Sequence, residues 1–145
     1  MITAKSIYKG DLRTVSTHVY SGTEITTDAP IDNKGKGQAF SPTDLLATSL
    51  GTCIITTIAI GGQTHGYNID GTKMEITKEM AADPRRVAEV HVTLFFPPNN
   101  FSEKEKKIIE RIAHTCPVSI SLHPDVKQVV VFNYYFFDVD DVLMC

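Results

Sequence analysis

Hydrophobic and polar positions fall into three kinds of stretch: short alternating runs, one long apolar run, and amphipathic segments near the C-terminal end. Residues 2–28 alternate and turn, with turn signals at Lys9-Gly10-Asp11 and Ser21-Gly22-Thr23. Between these, Leu12–Tyr20 is rich in Val, Thr and Tyr, which suit a pleated strand, and Glu24–Thr27 continues the pattern. A small antiparallel meander is predicted, with Leu12, Val15 and Val19 as candidate core positions. Asp28–Phe40 has no apolar period and holds Asp28, Pro30, Asp32, Asn33, Gly35 and Gly37. A 13-residue connection of this kind is either a functional loop or a flexible surface link.

Ser41-Pro42-Thr43-Asp44 is a strong helix start. Ser41 can cap, and Pro42 suits the first helical position, where a missing N–H costs nothing. Asp44 sits near the positive end of the helix dipole. The helix is predicted to run to Gly61-Gly62. Leu46, Leu50, Ile54 and Ile58 form one stripe at spacing four; Leu45, Ser49, Cys53 and Thr57 form the next. Ile55 and Ala59 extend the apolar character, so the helix is expected to be covered on most sides.

Residues 67–80 and 87–96 read as strands, with Asp83-Pro84-Arg85-Arg86 as the turn between them. Ser102 and Glu105 match a capping box ahead of a helix whose buried face is Ile108, Ile109, Ile112 and Ala113. Cys116-Pro117 interrupts it, and Pro117 can open a short third helix through Leu122. Residues 126–137 form a last β-rich run, and the tail 138–145 is acidic, then apolar. Strands and helices do not alternate one for one. The fold class expected is α+β, with largely antiparallel pairing and a single domain over 1–145. Two helices with this much apolar surface exceed what one small sheet covers, which points to an intertwined homodimer.

Leu45–Gln63 is 19 residues without a charge, the length of a membrane span. Its Thr, Ser and Gly content, and the lack of flanking Lys/Arg clusters, favour a buried helix of a soluble protein. The net charge of −3 gives no basic face for nucleic acid. Met1–Lys5 has no apolar signal-peptide core, so a cytoplasmic protein is expected. Three cysteines are too few for a disulfide scaffold and suggest free or redox-active thiols.

Cys53, mid-helix, reads either as a small buried hydrophobe or as a reactive thiol. Cys116 precedes Pro117 at a helix start, where orphan N–H groups and the dipole favour a thiolate. If their helices pack together, the two thiols can approach. Zinc is poorly supported: His65, His114 and His123 are present, but no Cys-x-x-Cys or His-x-x-x-His spacing exists. His18 and His91 lie on strand patterns and carry no signal. No phosphate-binding glycine motif is present, and Lys34-Gly35-Lys36-Gly37 lacks the strand–helix context. Cys145 is terminal and reads as incidental.

Several segments carry a resemblance when taken in order. Asp11–Ser16 follows the first turn, and Asp28-Ala29-Pro30 leads into the loop. Ser41–Leu46 opens the helix bearing Cys53, and His114–Val118 closes the second helix. This set resembles the OsmC/Ohr family of osmotically inducible and organic hydroperoxide resistance proteins, over roughly residues 5–137. The resemblance implies an OsmC-like fold: antiparallel sheets around two long central helices in an intertwined homodimer, with sites at the interface. It also implies a thiol peroxidase acting on organic peroxides and hydrogen peroxide in oxidative stress defence. Cys53 would be the peroxidatic cysteine, Cys116 the resolving one, and Arg13 the cation that holds the thiolate and orients the peroxide. No cofactor or metal is expected; the reductant would be an external dithiol such as a lipoyl group. In the hydroperoxide-resistance branch a glutamate follows the helix-opening proline and pairs with the arginine. Here Thr43 stands there, which aligns the chain with the broader OsmC-like branch. Either Asp44 substitutes for that glutamate or Arg13 is held otherwise. The alternative function is a non-enzymatic redox sensor or apolar-ligand-binding protein on the same fold.

Overall fold

A computed structural model describes residues 1–135, so Phe136, Phe137, the tail and Cys145 lie outside the described residues. The chain forms two compact units, Met1–Leu46 and Ala47 onward. Both are mixtures of strand and helix, and the α+β class holds.

In the first unit, β1 (Ala4–Gly10), β2 (Arg13–His18) and β3 (Glu24–Asp28) form an antiparallel sheet in that order. Asp11 and Leu12 make the β1–β2 turn, with φ of 54° and 62°. Two left-handed central residues match the twist of the flanking strands. A leucine in that conformation is uncommon; its carbonyl accepts the Ala29 N–H at 3.0 Å. Leu12 and Val19 are exposed, not core. Leu12 is taken up by the turn, and Val19 lies past the end of β2. The connection after β3 is folded: a 3-10 turn spans Ile31–Asn33, and Phe40 bridges back to Thr27.

Helix α1 runs Pro42–His65. Its start follows the sequence. Ser41 Oγ accepts the Asp44 N–H at 3.0 Å, and Asp44 Oδ2 accepts the Ser41 N–H at 2.8 Å. That reciprocal pair is a capping box with aspartate in the third helical position.

In the second unit α1 buries Ala47, Leu50, Gly51, Ile54, Ile58 and Gly62, which lie along one face. The expectation of cover on most sides is corrected: Thr52, Thr56, Ala59 and Ile60 are exposed in the single chain. The buried face lies on a second sheet, β4 (Lys73–Ala82), β5 (Arg85–Phe95) and β6 (Lys127–Asn133), in that order. At Gly51 the approach is so close that a Cβ would stand 2.5 Å from Ile76 Cδ1. Val90, Val92, Leu94 and Phe96 alternate inward and are fully buried. Burying such side chains stabilises by roughly 1.5–3 kcal/mol each.

Two features differ from the sequence reading. Residues 67–72 are a turn and not strand, because Asn68 Oδ1 accepts the Asp70 N–H at 2.6 Å. The β5–β6 pair is parallel, since α2 (Glu103–Ala113) and α3 (Pro117–Ser121) return the chain to the same end of the sheet. The second sheet is therefore mixed; among the described residues α1 has 24 residues and α2 has 11. The α2 capping box is present as read, with Ser102 Oγ accepting from Glu105 N and Glu105 Oε2 from Ser102 N.

Candidate active site

Two groups of side chains, one in each unit, are the candidates for chemistry. The first is the thiol pair of the second unit. Cys53 is half-buried on α1, and Cys116 is fully buried at the N-cap of α3; both are free thiols. They lie near enough for the Cys53 side chain to act on Cys116. The backbone N–H of Ser119 donates to Cys116 Sγ at 3.3 Å, which is the N-cap contact expected for a residue before Pro117. The electrostatic consequence is the reverse of the expected one. Burial pushes the Cys116 thiol up, and the Cys53 thiol beside it adds to the rise. The Ser119 N–H pulls the other way but does not outweigh removal from water. Cys116 is thus held as the neutral thiol. Thr57 Oγ1 donates to the Cys53 carbonyl at 2.7 Å, and the Thr52 and Thr56 hydroxyls likewise donate to carbonyls one turn back.

The second group belongs to the first unit. Strand register sets Arg13 directly opposite Asp28. The guanidinium grips the carboxylate with two bonds, Nε to Oδ1 at 2.7 Å and Nη2 to Oδ2 at 2.8 Å. Asp28 is 1% exposed and Arg13 33%. The Gln38 N–H donates to Asp28 Oδ2 at 3.0 Å, and Gln38 Oε1 accepts from Arg13 Nη2 at 3.0 Å. The hydrogen bonds from Arg13 hold the Asp28 carboxyl well below the usual range, against the opposing effect of burial. The same pair raises Arg13 above its ordinary value.

This answers the question left open at Thr43. Arg13 is held by Asp28 and Gln38, while Asp44 is engaged in capping Ser41. Thr43 Oγ1 lies 3.1 Å from Ser41 Oγ in the same first turn. Asp28 and Gln38 were missed as partners because they are 15 and 25 residues from Arg13. The available signal was Asp28 at a strand end, ahead of the loop. His114, beside Cys116, is exposed as the C-cap of α2.

The sequence profile of the OsmC-like protein family matches residues 35–130. That span takes in α1 with Cys53 and the α2–α3 junction with Cys116. The chain belongs to the OsmC-like protein family. It is 53% identical to a Psychrobacter arcticus protein of known structure, provisionally named an osmotic stress induced and detoxification response protein. That match covers 92% of this chain and 96% of the other, with a TM-score of 0.88. An OsmC-like protein from Mycoplasma pneumoniae shares the fold at 19% identity, over 90% of this chain and 94% of that one, with a TM-score of 0.74. So does an organic hydroperoxide resistance protein from Legionella pneumophila, at 16% identity, 92% and 98% coverage, and a TM-score of 0.71. No curated protein matches the chain.

Proposed function

We propose that this protein is a cysteine-based thiol peroxidase that reduces organic hydroperoxides. The observation that carries this reading is the thiol pair: one half-buried and one fully buried cysteine, on different helices, near enough for one side chain to act on the other. Cys53 is the more accessible and reacts first. Its thiolate attacks one peroxide oxygen; an S–O bond forms, the O–O bond breaks, and the alkoxide leaves as an alcohol after taking a proton. Sulfur is oxidised by two electrons to a sulfenic acid, and the peroxide is reduced. Cys116 then attacks the Cys53 sulfur. The S–S bond forms, the S–O bond breaks, and the thiol proton held on Cys116 departs with the hydroxide as water. An external dithiol, such as a lipoyl group, restores both thiols by exchange.

Arg13 serves as the cation that favours the Cys53 thiolate and orients the peroxide, with Asp28 fixing its guanidinium. Thr43 and Asp44 act through the start of α1. The uncharged outer face of α1, with Ile60 62% exposed, fits cover by a second copy of the chain. Length and composition would also let α1 cross a membrane; a homodimer in the cytoplasm is the reading adopted. Dithiol consumption driven by an organic hydroperoxide tests the proposal. Many turnovers per chain are expected. Consumption that stops at one equivalent would establish the redox-sensor alternative in its place.

A further inference from the structure

The outer face of the second sheet sets together three groups that the thiol chemistry does not use. Register puts Glu79 of β4 directly opposite Glu89 of β5. Like charges facing each other across strands are destabilising. His91 stands two residues along β5, on the same face by strand alternation. Its Nε2 lies 2.9 Å from Glu89 Oε1 and 3.9 Å from Glu79 Oε1. Yet Nε2 is buried and makes no hydrogen bond among the described residues. Nε2 therefore meets Glu89 as a close charged contact that lacks hydrogen-bond geometry, and a buried nitrogen without a hydrogen bond is costly. One donor atom from each of the three residues lies within 4.8 Å of the others.

We infer that Glu79, Glu89 and His91 form a binding site for a divalent first-row transition ion such as zinc. The donor set suits that class: one imidazole nitrogen and two carboxylate oxygens. Donors around tetrahedral zinc stand roughly 3.4 Å apart, given bonds of about 2.0–2.2 Å, so small side-chain adjustments would close the site. The cation would give Nε2 its partner and cancel the facing carboxylates. Lys127, opposite Glu89 on β6, now supplies one positive charge, with Nζ 3.1 Å from Glu89 Oε1. That ammonium serves Glu89. The site would clamp β4 to β5 beside the register irregularity at Glu79/Met80.

The test must keep thiols from competing for the metal. The full-length Cys53→Ser/Cys116→Ser/Cys145→Ser chain, checked for an unchanged circular dichroism spectrum, is titrated with zinc by calorimetry. One zinc per chain is expected. Adding His91→Ala should weaken binding by more than about 100-fold, since removal even of an outer partner typically costs 10–100-fold. Glu79→Gln should weaken it by at least tenfold. A second measurement uses the native thiols: zinc should raise Tm more in the wild type than in His91→Ala, as expected for a ligand of the folded state. No zinc heat in the folded thiol-free chain, or binding and Tm gains that survive His91→Ala, would overturn the site.

Discussion

Cys116 and Asp28 are both buried ionisable groups, and their surroundings treat them oppositely. Cys116, fully buried, is met only by the backbone N–H groups of Ser119 and Val118 and faces another thiol; burial wins and the thiol stays neutral. Asp28, 1% exposed, receives two guanidinium bonds and a backbone N–H; the bonds win and it stays charged. Burial alone therefore does not fix protonation here. Whether a cation is among the donors decides it. For the proposed chemistry the contrast is useful: a resolving cysteine delivers its proton with the leaving hydroxide, while a rigid ion pair keeps an arginine aimed.

The largest effect expected is at Cys53. Cys53→Ser should reduce hydroperoxide-driven dithiol turnover to background, whereas Cys116→Ser should still consume one peroxide per chain and accumulate a sulfenic acid detectable by mass spectrometry. Next comes Arg13. Arg13→Ala should slow the peroxide step on the order of 100-fold in stopped-flow kinetics, the scale seen when a reacting group loses its positioning. Arg13→Lys should recover part of that, because an ammonium cannot reproduce the two-bond grip. Equal peroxide rates for Arg13→Ala and wild type would leave Arg13 as a structural partner of Asp28 only.

Asp28→Asn sharpens the same contrast through pH. A carboxyl whose folded value is depressed contributes stability above its unfolded pKa of about 3.9 and loses it as pH falls through the folded value. The stability gap between wild type and Asp28→Asn should be constant from about pH 5 upward and shrink below about pH 4 in urea titrations. At Cys116 the opposite sign holds. A thiol raised in the folded state resists ionisation, so iodoacetamide at neutral pH should label Cys53 well before Cys116. Simultaneous labelling would contradict the burial-dominated account.

The smallest effect concerns Asp44. Since it caps α1, Asp44→Asn should lower stability by no more than about 1 kcal/mol in denaturant unfolding, with a peroxide rate close to wild type. A rate loss matching that of Arg13→Ala would mean that Asp44, and not Asp28, governs the arginine.

What the sequence disclosed was local. Ser41-Pro42, Ser102 with Glu105, and Cys116-Pro117 each state a helix start within four residues, and all three stand where expected. The family was legible from the order of such segments, and membership is borne out by the profile match. Relations across strands were not legible. Arg13 with Asp28, and Glu79 with Glu89 and His91, exist only once register is set. The same applies to the parallel β6, which depends on where two helices return the chain. Asp44 was a plausible partner for Arg13 by position, but the orphan N–H of Ser41 claims its carboxylate.

The central claim is that Cys53 and Cys116 act as one unit, and peptide mapping after a single equivalent of organic hydroperoxide tests it most directly. The account predicts a Cys53–Cys116 disulfide within one chain, with Cys145 still reduced. Cys53 over-oxidised beside a reduced Cys116, or a disulfide joining any other pair, would contradict it.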